Sequence, residues 1–340
     1  MREETLEANT AKKLEAIDLI KLYGLIDYKW DLRTDIIEWR GPINKLLSPE
    51  TPLTIGSSFN NTLDAENFWL RLYTLTQASP KSNKFNFRYN LSLHNYLRYP
   101  VEDIGEIVYD QQGEPQRIEG ALKFLDEDPN YPLPQNLSGY DPLTGFSQKD
   151  VLLETLASHL EESQQTGIPG AYITATIDCL TFFACKYGLK ATGALIKSIA
   201  EAIRSAIRFN DFMGRTSGCC FGIILKDCDR WGIIRASDRL ISAVQKKKLI
   251  LEGDNKIDVT ISLGGLVFPG EALEAPQVMQ RAERYLFEAQ TVKGNSVAGM
   301  PYGVKTMPEL KRPADNTTYK RRTRDLKGKS DPSSQPDTTQ

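Results

Sequence analysis

Two adjacent cysteines, Cys219 and Cys220, stand just past a hairpin turn, where a tip ordinarily reads polar. Thiols are soft ligands and nucleophiles, so a close group of them can hold zinc or form a redox pair. Successive strand residues point to opposite faces, however, so both sulfurs can address one metal only across a bulge. Small, weakly polar filler is the plainer role for them. Just upstream, Arg208 and Asp211 lie three residues apart at a helix end. Such a pair favours a turn and a local surface contact. The two histidines offer less: His94 reads as a partly exposed sheet residue and His159 as a solvated helix residue.

The elements that must position these groups follow from periodicity. Residues 207–225, IRFNDFMGRTSGCCFGIIL, end an amphipathic helix and then make two short apolar strands around a Ser217-Gly218 turn. Phe212 and Met213 belong to the first strand, and Phe221, Ile223, Ile224 and Leu225 to the second. Before them come a helix with Val151, Leu152, Thr155, Leu156 and Leu160 inward, a β-branched strand GAYITATID, and helical sequence through Ile207. Ser147 is the candidate N-cap of the first helix, with Asp150 three residues on. After the hairpin come the helix RASDRLISAVQKK, the strand KIDVTISLGGLVF and a last helix, APQVMQRAERYLFEAQTVKG. That order predicts a mixed central sheet covered by helices.

The N-terminal part has a different texture. A helix with Leu14, Ile17 and Ile20 on one face ends at Gly24. A hairpin then turns at Arg33-Thr34-Asp35. Asp64 is positioned to cap a helix with Phe68, Leu72 and Leu75 on one face. Three strands follow, the first alternating Phe85, Phe87, Tyr89, Leu91 and Leu93. Two strands, helices and three strands predict an α+β unit with one antiparallel sheet and helices on one side. Residues 25–127 resemble a PAS sensory domain, through DYKWDLRTDIIEW at the start and EDIGEIVYDQQGEPQRIEGALKFLDE at the end. The resemblance implies a small-molecule or partner sensor; Trp30, Trp39 and Trp69 read as core, and no cofactor is assigned. Pro129, Pro132 and Pro134 exclude helix from the linker that follows, residues 128–139.

Residues 140–300 resemble the GGDEF domain of diguanylate cyclases, which join two GTP molecules into cyclic di-GMP. Four segments carry the likeness: Asp141-Pro142-Leu143-Thr144-Gly145; Ile177-Asp178 with Tyr187-Gly188; the hairpin Gly214-Arg215-Thr216-Ser217-Gly218-Cys219-Cys220-Phe221; and Thr260-Ile261-Ser262-Leu263-Gly264, followed by the closing helix. The family holds metal through an acid on the first strand and an acid of the hairpin. Those positions fall on Thr176 and Cys220, with Asp178 as the alternative first-strand ligand. The guanine-contacting positions fall on Ala184 and on Gly193 or Ala194, and the phosphate-contacting ones on Gln290 and Gly294, the latter beside Lys293. Hard cations want oxygen donors, which thiols do not supply. The resemblance therefore implies a degenerate domain, with the catalytic residues of the hairpin replaced. Arg208-Phe209-Asn210-Asp211 keeps the R-x-x-D pattern with which many cyclases bind cyclic di-GMP, where the guanidinium forks onto phosphate or guanine. If the family geometry holds, Cys179 also comes near Cys219 and Cys220.

A length of 340 residues suits two folded units, and 40% hydrophobic with 25% charged residues is ordinary for a globular protein. A net charge of -2 gives no general attraction to nucleic acid or anionic membrane. No run reaches the roughly 18 apolar residues of a membrane span. Five cysteines, an odd number, fit a reducing, cytoplasmic compartment better than a disulfide framework. Residues 301–340 read as a disordered tail carrying the basic cluster Lys320, Arg321, Arg322, Arg324, Lys327 and Lys329. The combined expectation is a bacterial signalling protein: a sensor joined to a GGDEF domain that does not cyclise GTP. It would act by contact with protein partners or as a homodimer, with cyclic di-GMP as a candidate ligand. An active cyclase with an altered site, and a scaffold with no nucleotide ligand, are the rival readings.

Overall fold

The computed structural model describes residues 25–41, 54–93, 97–125, 139–247, 249–250, 256–270, 274–292, 296–299 and 305–306. The helix expected over 11–23, His94, linker residues 128–138, Lys293, Gly294 and the tail beyond Thr306 lie outside the described residues.

Strand β1 (Leu25–Asp31) alternates strictly, with Ile26, Tyr28 and Trp30 buried and the intervening residues exposed. It turns through Asp35 into β2 (Ile36–Arg40), and both belong to a five-stranded sheet ordered β2-β1-β5-β4-β3, where β3 is Lys84–Leu93, β4 Leu97–Tyr109 and β5 Pro115–Phe124. Every pairing in it is antiparallel. Phe85, Phe87, Tyr89 and Leu91 turn to the core, as period-two spacing requires. Between β2 and β3 lie two helices, α1 (Gly56–Asn60) and α2 (Ala65–Thr76). Asp64 does cap α2, accepting a 2.8 Å hydrogen bond from the Asn67 backbone N–H. Phe68, Leu72 and Leu75 are fully buried on one helix face, each stabilising the fold by about 1.5–3 kcal/mol through the area removed from water.

The second sheet has six strands ordered β13-β12-β11-β6-β8-β7. These are β6 (Gly170–Ile177), β7 (Phe212–Arg215), β8 (Cys220–Leu225), β11 (Ile261–Phe268), β12 (Ser296–Gly299) and β13 (Lys305–Thr306); β9 (Leu249–Ile250) and β10 (Lys256–Ile257) pair separately. β11 and β12 run parallel and the remaining pairs antiparallel, so the sheet is mixed, as the order of elements predicts. All eight residues of β6 are buried, which explains its run of apolar and β-branched residues. Helices α3 (Lys149–Thr166), α4 (Leu180–Ala206), α5 (Arg230–Lys246) and α6 (Ala275–Gln290) accompany this sheet. Gly188 interrupts α4 with φ of 81° and ψ of 171°, a conformation that suits glycine.

Ser147 is not the cap of α3. Gln148 holds that position without a side-chain bond, and Ser147 instead bridges to Gly214, its carbonyl accepting from the Arg215 N–H at 2.7 Å. The start of the domain is thereby sewn to the hairpin.

The two sheets are not independent. Buried residues of both form one continuous hydrophobic cluster, in which Phe59, Phe68 and Leu72 join Phe183, Ala184 and Phe221. α2 is the element between them, packing on β3 on one side and on α4 on the other.

Candidate functional site

The hairpin β7–β8 is held from below by Arg215, which is buried with Asp141. Its Nη1 reaches Asp141 Oδ2 at 3.2 Å, its Nε donates to the Ser217 carbonyl at 3.3 Å, and its Nη2 donates to the Gly218 carbonyl. Asp141 also accepts from the Thr144 N–H at 2.8 Å, and Gly145 takes the positive φ of 74° that the turn needs. The segment Asp141–Gly145 is thus a turn that anchors the guanidinium, and that guanidinium fixes the carbonyls of the hairpin tip. Burial pulls the Arg215 pKa down and Asp141 counters it.

Cys219 and Cys220 converge. Cys219 precedes β8 in the bend, so strand alternation does not apply to it, and both sulfurs reach the same acceptor. Asn61 Oδ1, just after α1, accepts from Cys220 Sγ at 2.8 Å, Ser217 Oγ at 3.0 Å and Cys219 Sγ at 3.1 Å. The expectation that these cysteines face opposite ways is therefore overturned by the position of Cys219 outside the strand. Burial pushes the Cys220 thiol well up, which keeps it a neutral donor. Three hydrogen donors around one oxygen also fix which end of the Asn61 amide faces the tip.

The N-terminal unit covers the rest of this face. The Phe68 ring lies so close on Gly218 that a Cβ there would fall inside it. Asn60 Nδ2 donates to Thr181 Oγ1 at 3.0 Å and Ser58 Oγ to Gln290 Oε1 at 2.9 Å. Glu114, in the β4–β5 turn, pairs with Lys186 of α4. Thr176 is fully buried beneath the tip, its Oγ1 donating to the Cys219 carbonyl at 3.4 Å, and Ala184 is buried as well. Of the positions singled out from the sequence, Gln290 makes a contact between the two units, and Thr176 and Ala184 are buried beneath such contacts.

Asp178 is bound to the neighbouring strand region. Its carboxylate accepts from Thr260 Oγ1 at 2.6 Å and Ser262 Oγ at 2.8 Å. Cys179 precedes α4 at its N-cap and donates weakly to the Arg33 carbonyl, 3.7 Å away. Among the described residues, no three His, Cys, Asp or Glu side chains are grouped to hold a metal ion. Burial pushes Cys185 up to about 12 and Cys228 up to about 11, in keeping with structural roles. His159 Nδ1 lies 2.9 Å from the Thr155 carbonyl of its own helix.

At the far end of α4, Asp211 is buried and stitches the turn. Its oxygens accept from the Arg208 N–H at 2.7 Å and the Lys226 N–H at 3.2 Å. Arg208 is exposed, and beside it Phe209 is 92% exposed. The R-x-x-D pattern thus divides into a turn-forming aspartate and an outward arginine.

One buried polar group gives no clear sign in the sequence. Arg71 of α2 lies under the first sheet, its Nε 3.6 Å from Asp103 Oδ2, with Tyr28 and Tyr89 hydroxyls donating to the two Asp103 oxygens at 2.8 and 3.0 Å. Its only sequence signal is placement: Arg71 falls three residues after Phe68 on the apolar face, and Asp103 falls between Val101 and Ile107 on the inward side of β4.

Comparison with known proteins bears on the second unit. Residues 138–296 match the family model described as diguanylate cyclase, GGDEF domain. The probable diguanylate cyclase DgcT of Escherichia coli is 27% identical over 168 residues, 48% of this chain and 36% of that protein. Diguanylate cyclase A of Treponema denticola is 24% identical over 160 residues, 46% of this chain and 43% of that protein. The chain thus spans less than half the length of either relative. Among solved structures, the GGDEF domain of DgcB from Caulobacter crescentus, in complex with c-di-GMP, aligns at a TM-score of 0.45 and 20% identity, covering 49% of this chain and 97% of that one. Residues 138–296 are a GGDEF domain, related in sequence to those of diguanylate cyclases.

Proposed function

We propose that the chain is a signalling protein in which a PAS-like sensor, residues 25–127, is joined to a GGDEF domain, residues 140–300, that does not cyclise GTP and signals by protein contact. The observation that carries this reading is the meeting of Ser217, Cys219 and Cys220 on Asn61 Oδ1 within a buried seam. Joining two nucleotides through phosphate requires a divalent cation to neutralise charge and activate the attacking hydroxyl. Magnesium takes hard oxygen donors, chiefly carboxylates, and the tip offers two cysteine sulfurs, an amide and the Thr176 hydroxyl. The residues present do not fit that cation. The carboxylate that the sequence offers as a ligand, Asp178, is engaged by Thr260 and Ser262. The antiparallel sheet with helices between its second and third strands supports the PAS-like reading of the first unit.

The test is GTP turnover by the full chain with magnesium and, separately, manganese, followed by chromatography. No cyclic di-GMP above a protein-free control is expected; its formation would overturn the reading and favour an active cyclase with an altered site.

Cyclic di-GMP is proposed as a ligand at Arg208 and Asp211, with the contact resting on Arg208, since Asp211 is committed to backbone N–H groups. The exposed guanidinium can fork onto a phosphate, and the Phe209 ring beside it offers a stacking face. Calorimetry with cyclic di-GMP should show binding that Arg208→Ala weakens at least about tenfold, the scale of one charge-assisted contact. Equal binding by both proteins, or none by either, leaves the motif without a ligand role and favours a nucleotide-free scaffold.

A further inference from the structure

Two adjacent sulfurs at the hairpin tip converge on one atom of the other unit. Cys220 Sγ lies 2.8 Å and Cys219 Sγ 3.1 Å from Asn61 Oδ1, with Ser217 Oγ at 3.0 Å. An amide oxygen carries two lone pairs, so three donors overfill it. The thiols also meet each other. A hydrogen bond from Cys220 pulls the Cys219 thiol below its usual range against burial, helped by Thr176, Ser217 and the Arg215 charge. Burial pushes Cys220 the other way.

Filler and metal are poor accounts of this arrangement. Alanine or valine would fill similar space with no polar atom to place, whereas each sulfur here lies within reach of a specific acceptor. A structural zinc site takes four ligands, and among the described residues no third His, Cys, Asp or Glu joins the pair. What two neighbouring thiols can do is exchange their hydrogens for one covalent bond. Successive Cα atoms stand about 3.8 Å apart, short of the roughly 4.4–6.8 Å of ordinary disulfides. A disulfide here is therefore strained and readily reduced, the character of a switch and not of a staple. Its ring requires the peptide between the two residues to turn. The Cys219 carbonyl is held only by long bonds, from the Ile177 N–H at 3.3 Å and Thr176 Oγ1 at 3.4 Å. Cys219 itself lies in the bend before β8.

We propose that Cys219 and Cys220 form a modification site, a vicinal dithiol that a hydroperoxide converts to a disulfide, loosening the hairpin from Asn61. With hydrogen peroxide, the Cys219 sulfur attacks one oxygen, the O–O bond breaks, and a sulfenic acid and one water form. The Cys220 sulfur then attacks the sulfenic sulfur; an S–S bond forms, the S–O bond breaks, and a second water leaves. Two thiols are oxidised and one peroxide is reduced to two waters. Asn61 Oδ1 loses both sulfur donors and retains Ser217 alone. The coupling is reciprocal: an event that lifts Asn61 from the tip also opens the thiols to oxidant. The site is independent of whether GTP is cyclised.

The experiment treats the native full chain with millimolar hydrogen peroxide, quenches with catalase, and reads the tryptic peptide 216–226, which contains these two cysteines and no other. That peptide should lose two hydrogens and resist alkylation, and dithiothreitol should restore both thiols. Hydrogen–deuterium exchange over residues 56–61 and 220–225 should quicken at least about tenfold on oxidation and slow again on reduction. Cys220→Ser keeps a donor for Asn61 but has no resolving sulfur. Its Cys219 should be trapped by dimedone as the sulfenic acid, with no quickening. Absence of the disulfide from this peptide of the wild type, or a bond to Cys179, Cys185, Cys228 or another chain instead, overturns the proposal without recourse to a variant. So does a disulfide that leaves exchange unchanged, or a quickening in Cys220→Ser equal to that of the wild type.

Discussion

The carboxylate of Asp35 lies in the turn between β1 and β2 at a φ of 59°, a left-handed conformation that aspartate tolerates better than most residues. It accepts from Trp30 Nε1 at 3.0 Å and the Ser57 N–H at 2.9 Å, with the Ser57 hydroxyl as a third donor. Burial raises its pKa from the usual 3.8 to about 6, against the pull of those hydrogen bonds and with a smaller push from Asp178. The folded state therefore binds this proton more tightly than the unfolded chain. Its stabilisation, about 3 kcal/mol, is full below about pH 4 and is lost as pH rises through about 6. Denaturant unfolding should thus show a larger unfolding free energy near pH 5 than near pH 7.5. Asp35→Asn does not ionise and keeps an acceptor for only one of the two donors, Trp30 Nε1 on Oδ1 or the Ser57 N–H on Oδ2, so it should lower stability at both pH values while flattening most of that difference. Equal pH dependence in the two proteins would refute the assignment. The direction also matters for the turn as a connector, since the same carboxylate ties Trp30 of β1 to the start of α1.

At the scale of elements, the readable parts are those where water on one face and core on the other impose a period. β1, β3 and α2 declare themselves this way, and so does the Asp64 cap, because its carboxylate serves donors within its own helix. The hairpin is readable for the same reason: its strands are apolar and its turn lies where Ser217-Gly218 places it. The facing of Cys219 is not, because strand alternation begins only at Cys220, and one residue of boundary decides whether the two sulfurs part or meet. Ser147 misleads for a related reason: a serine near a helix start fits the capping pattern, yet tertiary pairing with Gly214 takes its backbone instead. Least visible is the partner of the hairpin. α1 is a five-residue helix without a side-chain cap bond, and Asn61 meets Cys219 across 158 residues of sequence. Periodicity states that a face is buried and not what buries it. Asn61 and Arg71, one a shared acceptor and one an unsatisfied donor, therefore come only from the structure.

For the whole molecule, the seam sets how far the two units can act separately. Its centre is apolar and tightly fitted, Phe68 on Gly218, with Cys219 and Cys220 only 1% and 2% exposed behind Asn61. Its rim is polar: the Lys186–Glu114 pair is about a third exposed on each side and contributes at most about 1 kcal/mol. The hold of one unit on the other is thus concentrated at Phe68, and truncating that ring should cost about 3–5 kcal/mol if the cavity does not collapse. Thiol alkylation reads the consequence directly. In the native chain, iodoacetamide should modify Cys179, which is half-buried, well ahead of Cys219 and Cys220. In Phe68→Ala the two tip cysteines should become at least about tenfold more reactive in the absence of denaturant, since seam opening then requires less free energy than global unfolding. Buried Cys228, in the GGDEF unit and remote from Asn61, is the internal control and should stay protected. If all three rise together, the variant has loosened the whole fold; if none rises, Phe68 does not close the tip. Selective exposure of Cys219 and Cys220 would show that the hairpin is released by its neighbour rather than by unfolding, the property that a sensor acting through α2 requires.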